Sequence, residues 1–245
     1  MLQRIRSNLA KYQHKWIDGT VVDSRMSTAS KILCVARNYT EVEEEKTHPI
    51  TKRMENAAVF LKPPSSLVHM NSSISLHGYT DVVCETEMAI LVGREIVRTN
   101  TGCTSAQAGD AVIGLSVGYD LTRKNLQNKL KAVGKPWELS KAFDGACPLA
   151  PFIPIKKVRR IFDRTLPSSI ELILNGELVL SQSLDDMILS PTELVQLLTQ
   201  HFTICPGDVI MTGTPTLPQQ PPKLKVGDTV QGFLGKDLGI SSTVV

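Results

Sequence analysis

Several things are missing from this sequence, and each absence closes off a class of protein. No apolar run approaches the ~20 residues that a membrane-spanning helix requires, so no membrane role is expected. There is no low-complexity tract and no internal repeat at solenoid spacing. HExxH, GxSxG and EF-hand patterns are absent, and no glycine-rich phosphate loop leads into a helix. Cysteine is sparse. Cys34, Cys84, Cys103, Cys147 and Cys205 are far apart, odd in number and without a CxxC, which argues against a disulfide framework and for a reducing compartment. None is flanked by a base able to activate it, so a cysteine nucleophile is not expected. Excess charge is also scarce. The net charge is +3, and residues 1–25, with five Lys/Arg and two Asp, account for all of it. The balanced remainder has no electrostatic footprint for nucleic acid.

What is there describes an ordinary globular chain. The 245 residues, 42% apolar and 21% charged, suffice for one sizeable domain with an extension. Residues 1–30 read as that extension and 31–245 as the domain. The segment "MLQRIRSNLAKYQHKW" has no acid, and Leu2, Ile5, Leu9, Tyr12 and Trp16 recur at helical spacing. It reads either as a mitochondrial targeting peptide or as an added helix packed on the domain. The expected location is accordingly mitochondrial, otherwise cytoplasmic.

Strands are expected over 31–36, 57–67, 82–92 and 114–122. A hairpin is expected over 168–181, with Asn175-Gly176 as its turn. Thr104 or Ser105 caps a short helix over 105–112, and 123–132 forms one or two polar helical turns. Ser190, Pro191 and Glu193 mark a helix start as N-cap, first residue and capping-box partner, with the helix running to about 202. The stretch after residue 36 reads as a polar connection ending in a proline-marked turn. Residues 206–215 read as a turn, a buried strand and a loop. A second turn at Gly227-Asp228 precedes strands to the C-terminus. Strands outnumber helices, so the expected class is mainly β with a few helices at the edges, α+β.

One strand carries charge. In "VVCETEMAILVG", 82–93, Glu85 and Glu87 are two apart and so share a face of an otherwise apolar strand. Buried carboxylates require partners. Those partners are either lysine and arginine, or a hard divalent cation such as Mg²⁺, which takes oxygen ligands. Two carboxylates are few for a cation, and Asp120, acidic within "SVGYDLT", is the best candidate for a third. Lys141 in "PWELSKAF" offers a positive charge to such a site, although alone it reads as a solvated lysine.

Eight stretches then fall in a recognisable order. They are "ARNY" (36–39), "FLKPPSSL" (60–67), "ETE" (85–87), "YDLTRKNLQ" (119–127), "PWELSKAFDGACPL" (136–149), "LILNGEL" (172–178), "SPTEL" (190–194) and "PGDVIMTGTP" (206–215). Together they resemble the fumarylacetoacetate hydrolase (FAH) superfamily, in its small acylpyruvase and oxaloacetate decarboxylase branch, over residues 31–245. The resemblance implies a mixed β-sandwich roll, commonly a homodimer, that binds Mg²⁺ or Mn²⁺ and acts on a small 2-keto acid. The family's metal carboxylates fall on Glu85, Glu87 and Asp120, its active-site lysine on Lys141, and its substrate contacts on Gln127 and Thr214. The implied chemistry passes through a pyruvate enolate, whether the reaction is acylpyruvate hydrolysis, oxaloacetate decarboxylation or tautomerisation.

The sequence departs from the family at three places. The family's hydrolases carry H-x-x-E on a lid after "RNY"; here Val42 takes the histidine position and Glu45 the glutamate position. Valine exchanges no proton, so hydrolysis is expected to be weakened and Glu45 is left as a lone catalytic carboxylate. The family's D-x-T-A-R-D-x-Q is altered, with Arg123 for alanine, Lys124 for arginine and Asn125 for aspartate. Arg123 or Lys124 is then expected to grip the substrate carboxylate. After "TGTP" the stretch "TLPQQPP" replaces a glycine-rich run. The alternative reading is a catalytically silent relative that binds a metal or a metabolite.

Overall fold

The computed structural model describes residues 12–70, 73–155, 169–215, 221–235 and 238–245. Two β-sheets dominate. The first has eight strands, in the order β2 (Ala58–Lys62), β1 (Ile32–Ala36), β10 (Val209–Met211), β4 (Val82–Val92), β5 (Val112–Arg123), β6 (Cys147–Leu149) and β3 (Leu67–His69), with β7 (Ile153–Pro154) also paired to β5. The second runs β12 (Leu238–Thr243), β11 (Thr229–Leu234), β8 (Ser169–Leu174) and β9 (Glu177–Ser183). Five helices lie at the edges among the described residues: α1 (Glu43–Thr47), α2 (Ile50–Asn56), α3 (Ser105–Ala111), α4 (Lys124–Ala132) and α5 (Pro191–Thr199). The chain is thus mainly β, as its strand-rich pattern indicates. No helix among the described residues is long and apolar enough to cross a membrane.

The local chemistry explains most boundaries. Thr104 caps α3 and Ser190 caps α5, each in a reciprocal capping box, and Pro191 fills the first helical position of α5. Asn175 and Gly176 both take positive φ, 53° and 85°, as a tight hairpin turn between twisted strands demands. The "polar helical turns" after β5 are one nine-residue helix, α4. Its open N-terminus is capped from elsewhere, because Asp81 Oδ2 accepts from Asn125 N (3.2 Å) and Leu126 N (3.3 Å).

Two expectations fail. The segment after "RNY" is two short helices, α1 and α2, where a plain connection was expected. Val42 provides no side-chain cap, so the usual start signal is missing, although three glutamates in the first turn suit the helix dipole. Residues 12–25 contain no helix; residues 1–11 of the expected amphipathic helix lie outside the described residues. From Tyr12 the chain crosses the domain as turns and isolated bridges, folding back on itself where Lys15 pairs with Val21. Trp16 bridges to Phe152, His14 Nε2 donates to Gly207 O (2.8 Å), and Val22 is fully buried.

The core follows from strand alternation. Along β4, Cys84, Met88, Ile90 and Val92 enter the apolar layer between the two sheets. Ala89 and Leu91 face the opposite way, into a second layer that Val22, Ala29 and Trp16 cover. Glu85 and Glu87 share that second direction, beyond the reach of the cover.

Candidate active site

The register of the β4–β5 pair sets the floor of the site. Glu85 lies directly opposite Asp120, and Glu87 opposite Gly118. The even-numbered residues of β5 share the face of the odd-numbered residues of β4, so Asp120 and Thr122 join the two glutamates. Thr122 Oγ1 donates to Glu85 Oε2 at 2.9 Å. All three carboxylates line one cavity of about 550 Å³, together with Lys141, Gln127 and Thr214. Of the residues that the sequence singled out, Glu85, Glu87, Asp120, Lys141, Gln127 and Thr214 therefore converge.

Two lysines meet the carboxylates. Lys141 follows the single helical turn Glu138–Ser140 and is only 5% exposed. Its Nζ donates to Glu85 Oε2 (2.6 Å) and to Asp120 Oδ2. Burial works against its charge, but Asp120 and Glu85 outweigh it and hold the ammonium protonated far above neutral pH. Lys62, which sequence reasoning missed, is completely buried on β2. Its Nζ lies 2.8 Å from Asp120 Oδ1 and donates to the carbonyls of Leu121 (3.3 Å) and Lys141. In β2 only Phe60 and Lys62 are buried while Leu61 between them is exposed, so the lysine occupies an inward position that its short apolar stretch does not announce. Burial also opposes the charge of Asp120, and Lys141 and Lys62 hold its carboxyl below the usual range.

Glu87 differs. It accepts from Gly213 N (2.8 Å) but pairs with no lysine among the described residues. Burial, then the neighbouring Asp120, pushes its carboxyl well above the usual range. The Gly213 contact depends on a glycine: φ is +94°, and a Cβ there would meet Val35 O at 2.8 Å. Strand β10, parallel to β1 and antiparallel to β4, brings the "TGTP" loop to this point. Thr214 Oγ1 is buried at the cavity without a hydrogen-bond partner.

The donor chemistry fits a hard divalent cation. Three carboxylates face one cavity, and Glu87 lacks a positive partner. Yet among the described residues no three such side chains stand close enough together to hold an ion as they are. Lys141 bonds both Glu85 and Asp120 and so ties up two of the three donors. Cysteine chemistry is not prepared here. All five cysteines are free, and burial pushes the Cys147 thiol up to about 12.

Two expected site residues stand elsewhere. Arg123 turns away from the cavity, stacks over the Tyr79 ring at 3.9 Å and faces Asp81 at 3.8 Å. Glu45 is solvent-exposed on α1 and does not line the cavity, and Val42 is 53% exposed. Ion pairs from Lys46 to Asp186 (2.8 Å) and from Arg53 to Glu193 (2.6 Å) hold α1 and α2 against the segment around α5. Lys124, by contrast, does line the cavity. Of the "TLPQQPP" run, 216–220 lies outside the described residues, and Pro221 borders the cavity.

A strand-rich roll with an acidic, lysine-countered cavity on one sheet defines a recognisable class. Residues 31–245 match the model of the fumarylacetoacetate (FAA) hydrolase C-terminal family, and the chain belongs to that family. It is 32% identical over 205 residues to the oxaloacetate tautomerase YcgM of Escherichia coli, covering 83% of this chain and 88% of that protein. It is 30% identical to the mitochondrial oxaloacetate tautomerase of Caenorhabditis elegans, covering 83% of this chain and 89% of that one. A fumarylpyruvate hydrolase of Pseudomonas aeruginosa, solved with Mn²⁺ and pyruvate, superposes with a TM-score of 0.74 at 28% identity, covering 92% and 94% of the two chains.

Proposed function

We propose that this chain is a divalent-metal-dependent enzyme acting on small 2-keto acids, with oxaloacetate tautomerisation or decarboxylation favoured over acylpyruvate hydrolysis. The observation that carries this reading is the convergence of Glu85, Glu87 and Asp120 with Lys141 in one cavity. The activities named for the relatives from E. coli and C. elegans, and the Mn²⁺ and pyruvate of the P. aeruginosa enzyme, support it.

In this reading Glu85, Glu87 and Asp120 hold Mg²⁺ or Mn²⁺, which supplies Lewis-acid polarisation of a bound keto acid. Lys141 provides a fixed positive charge beside the enolate oxygen. Its hydrogen bonds to Glu85 and Asp120, which occupy two of the three donor groups, would have to loosen as the cation binds. Gln127 and the unpartnered Thr214 hydroxyl orient the substrate oxygens. In tautomerisation a C–H bond breaks, its proton passes to water in the open cavity and a proton returns to the keto oxygen; in decarboxylation the bond to CO₂ breaks and CO₂ leaves; either leaves its electron pair in the enolate. Neither requires an attacking water. Hydrolysis does, and the exposed positions of Val42 and Glu45 supply no base at the cavity.

The test is to follow the absorbance of oxaloacetate and of acetylpyruvate with and without Mg²⁺ or Mn²⁺. Metal-dependent consumption of oxaloacetate exceeding hydrolysis of acetylpyruvate is expected. Equal rates on both would overturn the preference, and no metal-dependent turnover of either would favour the silent relative. The family resemblance extends the reading to a homodimer, which light scattering checks. The basic N-terminus and the mitochondrial relative support a mitochondrial location.

A further inference from the structure

A cluster outside the cavity joins three of its walls. Its centre is Asp81, immediately before β4, the strand that carries Glu85 and Glu87. Lys124 N donates to Asp81 O (2.9 Å), and Asn125 N (3.2 Å) and Leu126 N (3.3 Å) donate to Asp81 Oδ2. Three successive backbone N–H groups at the start of α4 thus bond one residue from elsewhere in the chain. The helix has no means of its own to satisfy them. Its N-cap, Arg123, makes no side-chain cap, and no acidic residue stands in its first turn.

We infer that Asp81 is a positioning residue of the site, which fixes the first turn of α4 so that Gln127 presents its amide to the substrate. This rests on the keto-acid reading, in which Gln127 orients substrate oxygens, and adds what holds that contact in place.

Gln127 needs such support. It is buried and lines the cavity, yet its side chain makes no hydrogen bond among the described residues. Its direction is therefore set by the helix that carries it. The N–H groups held by Asp81 belong to the three residues directly before it, so fraying of that turn displaces Gln127 first. A carboxylate at this end of α4 also suits the helix dipole.

The cap is itself anchored. The Arg123 guanidinium lies 3.9 Å over the Tyr79 ring, and its Nε faces Asp81 Oδ1 at 3.8 Å. Tyr79 meets the Phe143 ring edge-on, with 5.6 Å between centroids. Phe143 follows Lys141 by two residues. The cluster thereby ties β4 and its two glutamates to α4 and to the turn that delivers Lys141. Tyr79, Asp81, Arg123 and Phe143 do not line the cavity, so any effect they have on a reaction there passes through these elements.

The test combines steady-state kinetics on oxaloacetate with Mg²⁺ and hydrogen exchange of the full chain without metal. Asp81→Ala is expected to speed exchange across residues 124–132 by about tenfold while β4 and β5 stay protected. It is also expected to raise KM about fivefold or more, the size of a lost N-cap, with a smaller change in kcat. Asp81→Asn keeps an oxygen acceptor and is expected to restore most of KM. In a Gln127→Ala background Asp81→Ala is expected to add little to KM, as two changes acting through one contact do. A lowered melting temperature with KM unmoved overturns the proposal, and so does a full KM rise in the Gln127→Ala background. Should Asp81→Ala fail to fold, Asp81→Thr, a weaker cap, carries the test: faster exchange of α4 with KM unmoved again overturns it. These results leave the keto-acid reading intact. Wild-type protein without metal-dependent turnover of oxaloacetate overturns that reading, and the positioning role with it.

Discussion

The two faces of the eight-stranded sheet are made from the same strands and have opposite character. On the face toward the second sheet, β4 presents Cys84, Met88, Ile90 and Val92, and β5 presents Leu115, Val117, Tyr119 and Leu121, all buried. On the other face the same strands present Ala89 and Leu91 at one end, and Glu85, Glu87, Asp120 and Thr122 at the other. The apolar end is closed by the segment that begins at Tyr12. The charged end opens into the cavity. Burying charge in a sheet is tolerated only where other elements deliver counter-charge, and Lys62 and Lys141 come from β2 and from the turn after residue 138. One face thus secures the fold, and half of the other lines the cavity.

The sharpest break of this comparison is at Lys141. Lys141→Ala should reduce oxaloacetate turnover by about 10²–10³-fold, the usual effect of removing a preorganised electrostatic donor. An unchanged rate would show that the enolate charge is stabilised elsewhere.

Neighbours on β4 should then give opposite phenotypes. Ile90→Ala should lower stability by about 2–5 kcal/mol in urea unfolding, because it opens a cavity between the sheets. Glu87→Gln keeps the acceptor for Gly213 N–H and removes a buried charge. The raised folded pKa of Glu87 means that its ionisation opposes folding above its unfolded pKa. The variant should therefore be as stable as wild type or more so at neutral pH without metal, yet lose the Mg²⁺-induced rise in melting temperature. A Glu87→Gln protein that melts several degrees lower without metal would contradict this account.

The covered end can be probed by pH. Burial lowers the pKa of His14 from 6.5 to about 4. The unfolded chain therefore takes up a proton first as pH falls, and stability is lost from about 6.5 downward until the folded pKa is passed. The full loss is about 3 kcal/mol at 1.36 kcal/mol per pKa unit. Denaturant titrations at pH 7, 5 and 4 should show this slope, and His14→Gln should flatten it.

The smallest effect concerns the two short helices that carry Val42's neighbours and Glu45. The partly exposed Lys46–Asp186 pair is worth about 0.2–1 kcal/mol, and salt weakens it. Asp186→Asn should speed hydrogen exchange in residues 43–56 by a few-fold while global unfolding stays the same. No change in exchange would mean that Arg53 and Glu193 alone hold these helices.

Much of this was legible in residue order. Two-residue spacing put Glu85 and Glu87 on one face, and the SPTE and NG signals located a helix start and a hairpin, because those features depend on neighbours within one turn or one strand. Lys62 was not legible. A lysine in a short apolar stretch reads as a snorkelling edge residue until the curl of the sheet brings β2, with three strands between, within reach of β5. Arg123 was misleading for the same reason: its direction is set by Tyr79 and Asp81, some forty residues earlier in the chain. The helices α1 and α2 went unread because their capping groups are absent and their support comes from Asp186 and Glu193.

The sequence by itself determined the strand-rich class, the shared face of the two glutamates and the family, since periodicity and ordered motifs are properties of the chain. Only the tertiary structure decided that Asp120 stands opposite Glu85, that two lysines rather than one meet the carboxylates, and that Arg37 joins Lys124 and Lys131 at the rim. Strand register and long-range ion pairs decide these. Both arise when distant segments are brought within a few ångströms, a distance over which charge interactions in a buried site become large enough to select one arrangement.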